Sequence, residues 1–501
     1  MRSTLLIILI SSFFTLNLLG GDFIFSLNCK KAISELFEFN FEKAKSHLEN
    51  EKKQAPDNLM VYYVENYIDF IETLIDGGEK RFSKYKNNFE ARLKLLKNGD
   101  ENNPFYLFVL SELYLQTTLL NGQFKEFVNA GLNFYRSYKF TNQNIVKFPD
   151  FIFNKKLKGI HELLMSIIPD EYENIFSFFG FVGTSEKGMK LIDEYYKYAK
   201  NIEGLEVEAV MFKYFTISQF GKDDQSPFEF LDSHDYNKSE NIVIKLCYLL
   251  AIKESGDNNN KALNYIEQKN LKPEKYNIPH LYYLIGSLKF TRLDDDSNEY
   301  FENFLKYYHG GHFIKHTNRK LAVYYYLHDN YEKYRFYLDK VFNEGLALVE
   351  HDRQAEYELS DTVKLSKTLL KTRYLFEGGY FSRALKMLAD HSGEFKKCPL
   401  KHQVEYFYWY GKIYDHLGDY EKAKKYYNYT LRFGKTLTQY FFVPDAALRL
   451  GLILEKEGNF EGSREQFKYC LSNIKRTYYS SIDRNAKIAL ERVEKVLDKR
   501  K

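Results

Sequence analysis

Three histidines, His309, His312 and His316, fall within eight residues, with Gly310 and Gly311 between the first two. If the glycine pair folds back, these imidazoles could share a metal ion, with His312 and His316 one helical turn apart. No acidic or Cys residue stands near them in sequence, so a surface loop with incidental histidines is expected. Asp294, Asp296 and Asn298 keep the first three spacings of a calcium loop, but Glu299 replaces the turn glycine and Leu305 the bidentate Glu. A polar inter-helix turn is the expectation there. Gly183 to Lys190 (GTSEKGMK) approaches a phosphate-binding loop, yet Met189 stands where the lysine must be. We expect a turn ahead of a helix at Gly188. His161-Glu162 begins like a zinc-protease helix, but Met165 stands where the second ligand is needed. GxSxG and GxGxxG motifs are both absent. Catalytic, cofactor-binding and metal residues are therefore assigned to none, and no cofactor is expected.

Cys29, Cys247, Cys398 and Cys470 are far apart and lack CxxC spacing, so each is expected to be a small buried residue. Lipidation of Cys29 is not expected, because Asn28 precedes it and the apolar run ends about ten residues earlier. Basic residues gather beside aromatic ones at Lys80, Arg81, Lys84 and Lys86 around Phe82 and Tyr85, and at Lys424 and Lys425 beside Tyr426 and Tyr427. Acidic residues interrupt both patches, which argues against nucleic acid as a partner. The whole-chain balance agrees, with 72 Lys plus Arg against 68 Asp plus Glu, a net charge of +4 spread as alternating signs.

The elements that must carry these residues are helices in repeats. Phe407-x2-Tyr410-Gly411-x2-Tyr414, Gly418-Asp419-Tyr420 and Ala423-x3-Tyr427 form one unit. Ala447-x2-Leu450-Gly451-x2-Leu454, Gly458-Asn459-Phe460 and Ser463-x3-Phe467 form the next. This is the tetratricopeptide pattern of helix, tight glycine turn and second helix. Small residues (Gly411, Ala423, Gly451, Ser463) let two helices approach, and large ones fill the space beside them. Gly379-Tyr380-Phe381 with Ala384-x3-Leu388 repeats the turn upstream, so Gly379, Gly418 and Gly458 stand 39 and 40 residues apart. Fainter copies occur at Phe41 with Ala44-x3-Leu48, at Gly122 with Phe124, at Ala262-x3-Ile266 and at Tyr282-x2-Ile285-Gly286. The 43 Tyr and 43 Phe, which with one Trp make 17% of the chain, recur at the large positions, so most of them should be packing. The nine prolines stand in loops or where helices should begin, as at Asn103-Pro104, Ser226-Pro227 with Glu229, and Pro444-Asp445.

Arg2, an apolar run from Leu5 to Leu19, and Gly20-Gly21 read as a signal peptide over residues 1–21. The run is too short to cross a membrane, which takes about 20 apolar residues. Gly221 to Pro227 (GKDDQSP) is the expected linker between a degenerate helical-repeat lobe at 22–221 and a tetratricopeptide lobe at 228–501, clearest over 365–475.

The C-terminal repeats resemble the tetratricopeptide superfamily. Ser177 to Ile192 (SFFGFVGTSEKGMKLI) and Phe442 to Glu455 (FVPDAALRLGLILE) resemble segments of a eukaryotic tetratricopeptide family associated with the mitochondrial outer membrane and inclusion clearance. The signal peptide, the Cys29-Lys30-Lys31-Ala32 start and RLDDDSNEYFENFLKYY from Arg292 resemble exported tetratricopeptide proteins of Bacteroidetes-type bacteria. These resemblances imply an all-α solenoid of ten to twelve helical hairpins in a right-handed superhelix, acting as an adaptor. The expected function is a non-enzymatic scaffold, exported across the inner membrane to the periplasm or outer membrane, where it binds a protein or peptide ligand in a concave groove. Any membrane association would run through the N-terminus or a partner. The alternatives are an envelope glycan- or lipid-binding protein using groove aromatics, and a hydrolase built on carboxylates or the His309 cluster.

Overall fold

Apolar residues three and four apart, uninterrupted by proline, become helices throughout the computed structural model, which describes residues 21–167, 183–221, 226–256, 259–358, 366–473 and 480–499. The expected signal peptide up to residue 20 lies outside the described residues, as does the first part of the Ser177 to Ile192 segment.

The chain forms two compact units. The first contains the described residues up to Ser255 together with Glu274–Tyr276 and Tyr308–Gly310, and the second contains Gly256–Pro273, Asn277–Tyr307 and Gly311–Lys501. In the first unit the helices are α1 (Leu27–Leu36), α2 (Phe41–Gln54), α3 (Met60–Asp76), α4 (Glu79–Leu96), α5 (Pro104–Gln123), α6 (Phe127–Lys147), α7 (Phe153–Ser166), α8 (Ser185–Ala199), α9 (Glu206–Phe220), α10 (Pro227–Ser233) and α11 (Ile242–Glu254). The pairs α1/α2, α3/α4 and α5/α6 pack as helical hairpins, and α7 packs on α8. Most of segment 221–227, expected to separate two lobes, lies outside the described residues, and α9, α10 and α11 on either side of it pack on one another.

The second unit contains α12 (Asn260–Gln268), α13 (Pro279–Arg292), α14 (Ser297–Tyr307), α15 (Ile314–Leu327), α16 (Tyr331–Asn343), α17 (Glu350–Glu358), α18 (Lys367–Glu377), α19 (Phe381–Asp390), α20 (Leu400–His416), α21 (Tyr420–Phe433), α22 (Phe442–Lys456), α23 (Phe460–Asn473) and α24 (Ser480–Asp498). Its hairpins are α13/α14, α15/α16, α18/α19, α20/α21 and α22/α23, with α17 against α15 and α24 against α23. The fold is all-α, a chain of helical hairpins of tetratricopeptide type.

Small and large residues pair as the sequence requires. A Cβ on Gly411 would stand 2.7 Å from Tyr427 Cδ1, and one on Gly451 2.5 Å from Phe467 Cε1. Ser463 Oγ donates to the Gly451 carbonyl at 2.8 Å, which fixes the approach of α22 and α23. Seven hairpins share one turn geometry. In the turn after α20, Gly418 is left-handed, Asp419 N–H donates back to the Tyr414 carbonyl at 3.0 Å and Gly418 N–H to Asp415 at 3.1 Å. That pair of bonds is the Schellman motif, which satisfies carbonyls the helix end leaves open. Gly379 and Gly458 repeat it, and Phe39, Lys125, Leu293 and Asp329 hold the same left-handed position with side chains. At the second of these the turn residue is Lys125 and not Gly122, which stays within α5.

Prolines open helices as expected at Pro104, Pro227 and Pro279, with Asn103 and Ser226 accepting from Phe105 N–H and Glu229 N–H. Pro169 lies outside the described residues. Inside the first unit, Lys156 is buried between Glu112 and Glu208, each 2.9 Å from its Nζ. Tyr67 and Tyr195 hydroxyls donate to the same Glu208 at 2.8 and 2.9 Å. Burial pushes the Glu112 carboxyl above its ordinary range, with Lys156 opposing and Glu208 reinforcing the rise.

Candidate binding groove

The two helices of a hairpin are buried to different extents. In α20, Lys401, His402, Val404, Tyr406 and Tyr408 through Gly411 are all buried, whereas α21 buries Ala423, Tyr427 and Thr430. The same contrast separates α22 from α23. First helices therefore form an inner layer, and residues on their remaining face look into a shared groove. Its first cavity, about 410 Å³, is lined by side chains of α15, α17, α18, α20 and α22, by the 439–441 turn, and by Ser481 and Ile482 at the start of α24. A second, about 490 Å³, continues along α22 and α24 and shares Lys412, Phe441, Ser481 and Ile482 with the first.

Aromatic and charged groups alternate along this channel. Trp409, the one Trp of the chain, is 3% exposed, and its Nε1 donates to Glu405 Oε1 at 3.3 Å. Its ring lies 5.5 Å from Phe376 and 5.1 Å from Tyr408. Lys401 Nζ sits 5.1 Å over Tyr440, and the Tyr357 hydroxyl donates to the Gln439 carbonyl at 3.3 Å.

Two ion-pair clusters fix the walls. At α17 and α18, Arg373 donates through Nη1 to Glu358 at 2.7 Å and through Nε to Glu377 at 2.8 Å, while Arg319 Nη2 stands 3.5 Å from Glu358 Oε2. Burial alone would raise the Glu358 carboxyl, but Arg373 and Arg319 hold it below its ordinary range. At α20 and α22, Asp445 Oδ2 accepts from the Tyr408 hydroxyl at 2.6 Å, from Arg449 Nε at 2.7 Å and from Lys412 Nζ at 3.2 Å. Here too burial opposes ionisation, and Lys412 and Arg449 hold Asp445 well below the usual carboxylate range. Burial pushes Lys412 down despite Asp445, and Arg449 adds to the fall.

The residues that the sequence offered for chemistry do not converge. His309 belongs to the first unit, with Nδ1 2.9 Å from Asp76 Oδ2, whereas His312 and His316 belong to the second. His316 Nδ1 meets the Tyr283 hydroxyl at 2.6 Å, and its ring stands 5.0 Å from His351. Asp294 is bound by Arg292 Nε at 2.8 Å, and Asp296 by Lys289 at 2.7 Å, so cations of α13 take up the carboxylates of the calcium-like stretch. Thr184 caps α8 by accepting from Lys187 N–H at 3.3 Å, and Lys187 Nζ pairs with Glu162 at 2.7 Å. His161 is buried with Nε2 2.9 Å from Ser137 Oγ. Among the described residues no three His, Cys, Asp or Glu side chains are grouped to hold a metal ion.

Cys29, Cys247 and Cys470 are buried as expected, whereas Cys398 is only half-buried. Burial raises the Cys29 thiol to about 11 and those of Cys247 and Cys470 to about 12. Of the four rings in the basic patches, three lie in the interior and Tyr426 is half-buried. Phe82 and Tyr85 are buried, Arg81 pairs with Glu72 at 3.0 Å and Lys86 with Glu126 at 2.8 Å. Tyr427 is buried under Gly411, and Lys424 pairs with Glu421 and Glu457 at 2.7 Å each. Among the described residues no helix is long and apolar enough to cross a membrane.

No protein-family model and no curated protein matches the chain. Solved structures do. The P58(IPK) TPR domain is 12% identical over 88% of this chain and 99% of its own, with a TM-score of 0.23. Yeast Tom70 is 11% identical over 94% of this chain and 89% of its own, with a TM-score of 0.24. The APC/C hetero-tetramer Cut9–Hcn1 gives 11% identity over 91% and 95%, with a TM-score of 0.25. At these scores the hairpin type rests on the packing and turns described above.

Proposed function

We propose that the chain is a non-enzymatic binding scaffold whose second unit receives a peptide or helix of a partner protein in the groove of α15, α17, α18, α20, α22 and α24. The observation that carries this reading is the channel itself. Two adjoining cavities of about 410 and 490 Å³ run along inner-layer helices, and side chains from several hairpins supply apolar surface and fixed polar groups together. The half-buried Phe376 and Phe441 offer aromatic contact area of the kind that dominates recognition of protein segments. The ion pairs at Glu358 and Asp445 hold the walls in place before a ligand arrives, which lowers the ordering cost of binding.

The reading includes export. The apolar run from Leu5 to Leu19 followed by Gly20-Gly21 supports a protein that works in the cell envelope, in the periplasm or at the outer membrane.

A photo-reactive amino acid placed at Gln354 or Ile482 in the groove, and at Lys425 outside it as control, tests both parts in living cells. The expected result is one reproducible protein cross-linked from the two groove positions but not from Lys425, in a chain recovered from the envelope fraction without its first residues. Equal capture from all three positions, or capture of glycan or lipid alone, refutes the groove reading. Recovery from the cytosol with Met1 in place refutes export.

A further inference from the structure

Helix α6 reverses the usual placing of polar and apolar residues. Its buried arc is largely polar. The Ser137 and Thr141 hydroxyls stand 2.9 and 2.7 Å from Ser111 Oγ, and Asn144 Nδ2 donates to the Pro104 carbonyl at 3.0 Å and to Asn154 Oδ1 at 2.8 Å. Its outer arc is apolar. Val128, Leu132 and Val146, spaced to share one side of a helix, are 79%, 49% and 84% exposed, and Phe127 at the helix start is 60% exposed. Single exposed apolar residues are ordinary, but a row of them along one helix is surface that the fold leaves unused.

Charge on this helix has one sign. No Asp or Glu falls between Phe127 and Phe148, while Arg136, Lys139 and Lys147 do, and Lys125 just precedes the helix. Among the described residues none of these four cations is in an ion pair. Arg136 bonds the neutral Asn133 at 3.0 Å, and Lys147 the Glu101 carbonyl at 2.6 Å. The carboxylate ahead of the helix, Glu126, faces Lys86 at 2.8 Å. Helix α16 also exposes Phe336 and Phe342, but it mixes Glu332 and Asp339 with its cations, as a solvated helix does.

We propose that α6 lies on the surface of an anionic lipid bilayer, with Phe127, Val128, Leu132 and Val146 entering the headgroup boundary and Lys125, Arg136 and Lys139 meeting lipid phosphates. From Val128 to Val146 the row runs about 27 Å. A bilayer offers apolar depth and negative charge along that whole length at once, whereas a protein partner would need an apolar ridge set between carboxylates. Surface-lying helices bury their apolar side chains about 5–10 Å into the headgroup boundary, and cations beside them add attraction to anionic lipid. α6 is the second, less buried helix of its hairpin and belongs to the first unit, so the proposal does not depend on the groove.

The apolar run from Leu5 to Leu19 also has affinity for lipid, so contact must be read at α6 itself. The full chain carrying Phe127→Trp is titrated with vesicles of equal parts phosphatidylglycerol and phosphatidylcholine, brominated on their acyl chains. Fluorescence should be quenched beyond the quenching of the unaltered chain, whose Trp409 is buried in the second unit. That excess should need about tenfold more lipid when the vesicles are phosphatidylcholine alone, and it should weaken as salt rises. Added to this chain, Lys125→Gln and Lys139→Gln should each weaken the contact about fivefold. Val128→Ser with Leu132→Ser should weaken it about tenfold to a hundredfold. Lys425→Gln, exposed on α21, should change nothing, and thermal melts should be alike because every altered side chain is exposed. No excess quenching, equal quenching by neutral vesicles, or unchanged quenching in the Gln and Ser variants overturns the proposal. So does a dimer in lipid-free sedimentation velocity that Val128→Ser with Leu132→Ser dissolves, because a second copy then covers the face.

Discussion

Gly418→Ala isolates the energetic role of the repeat turn. Gly418 has φ +78°, and a Cβ built on it meets nothing within 4 Å, so the substitution tests backbone conformation without a packing contribution. A left-handed residue with a Cβ costs about 1–2 kcal/mol. Alanine also stiffens the unfolded chain, which returns about 0.4–1 kcal/mol. The net loss should be about 1 kcal/mol, and Gly418→Asn should cost less, because its side chain tolerates this region. Trp409 lies on α20, the helix that Gly418 terminates, so its fluorescence reports the second unit directly. With a urea slope of about 2–3 kcal/mol per molar, the midpoint should fall by roughly 0.3–0.5 M. The reciprocal change is Lys125→Gly, at an exposed left-handed residue with φ 63°. Relief of strain there should outweigh the added chain entropy and slow hydrogen exchange in the α5/α6 turn. If Gly418→Ala is neutral or stabilising, or Asn is no better than Ala, the account of the turns is refuted.

Three further outcomes follow from the packing and the buried charges. Gly451→Ala places a Cβ 2.5 Å from Phe467 Cε1, so overpacking of about 1–3 kcal/mol should exceed the helix-propensity gain of about 1 kcal/mol. A thermal melt should show the loss, and Phe467→Leu in the same chain should recover part of it. Asp445→Asn leaves Lys412 and Arg449 without their carboxylate and should cost about 3 kcal/mol at neutral pH, the low end for a buried pair because Arg449 is 28% exposed. Its folded pKa lies below the unfolded value of about 3.9, so the native chain holds this stability above that pH and loses it on acidification, and the Asn variant should lack that part of the acid limb. Burial, with Lys158 adding to it, lowers His161 to about 3. Stability of the first unit should therefore fall as pH drops from about 6.5 toward 3, by up to about 1.4 kcal/mol per unit, and His161→Asn should flatten that slope in exchange measurements on α6 and α7.

The fold was legible where glycine and small residues mark the contacts. Gly379, Gly418 and Gly458 advertise their turns because only glycine takes the left-handed position freely, and Gly411 and Gly451 advertise the close helix approach. Among the described residues, the other hairpin turns of the same geometry carry Phe39, Lys125, Leu293 and Asp329, and Asn270 holds the same position after α12, without a glycine to mark any of them. Leu293 belongs there because it packs against the core clusters of the second unit, a tertiary gain that offsets its strain. Hence the upstream repeats looked faint in sequence while the backbone repeats them faithfully. GKDDQSP has the composition of a linker, but α9, α10 and α11 bury apolar faces against one another across it, and composition does not register what the flanking helices touch.

The groove was hidden by the same arithmetic that makes the chain look neutral. Arg319, Arg373, Lys412 and Arg449 stand on the first helices of successive hairpins; sequence gives the last three an acidic residue within four positions, as one more solvated pair, and Arg319 none within nine. In the structure the acids are unequal. Glu358 is drawn to Arg373, and Asp445 collects Tyr408, Lys412 and Arg449, so carboxylate bonds are concentrated on some cations and withheld from Arg319. A net charge near zero therefore conceals a local donor surplus, which depends on side-chain geometry at the level of single N–H groups. A cation recurring on the inner helix of each hairpin is the one sequence signal that points to such a groove. It becomes readable only once the turns, including those without glycine, have been placed and each helix assigned to its layer.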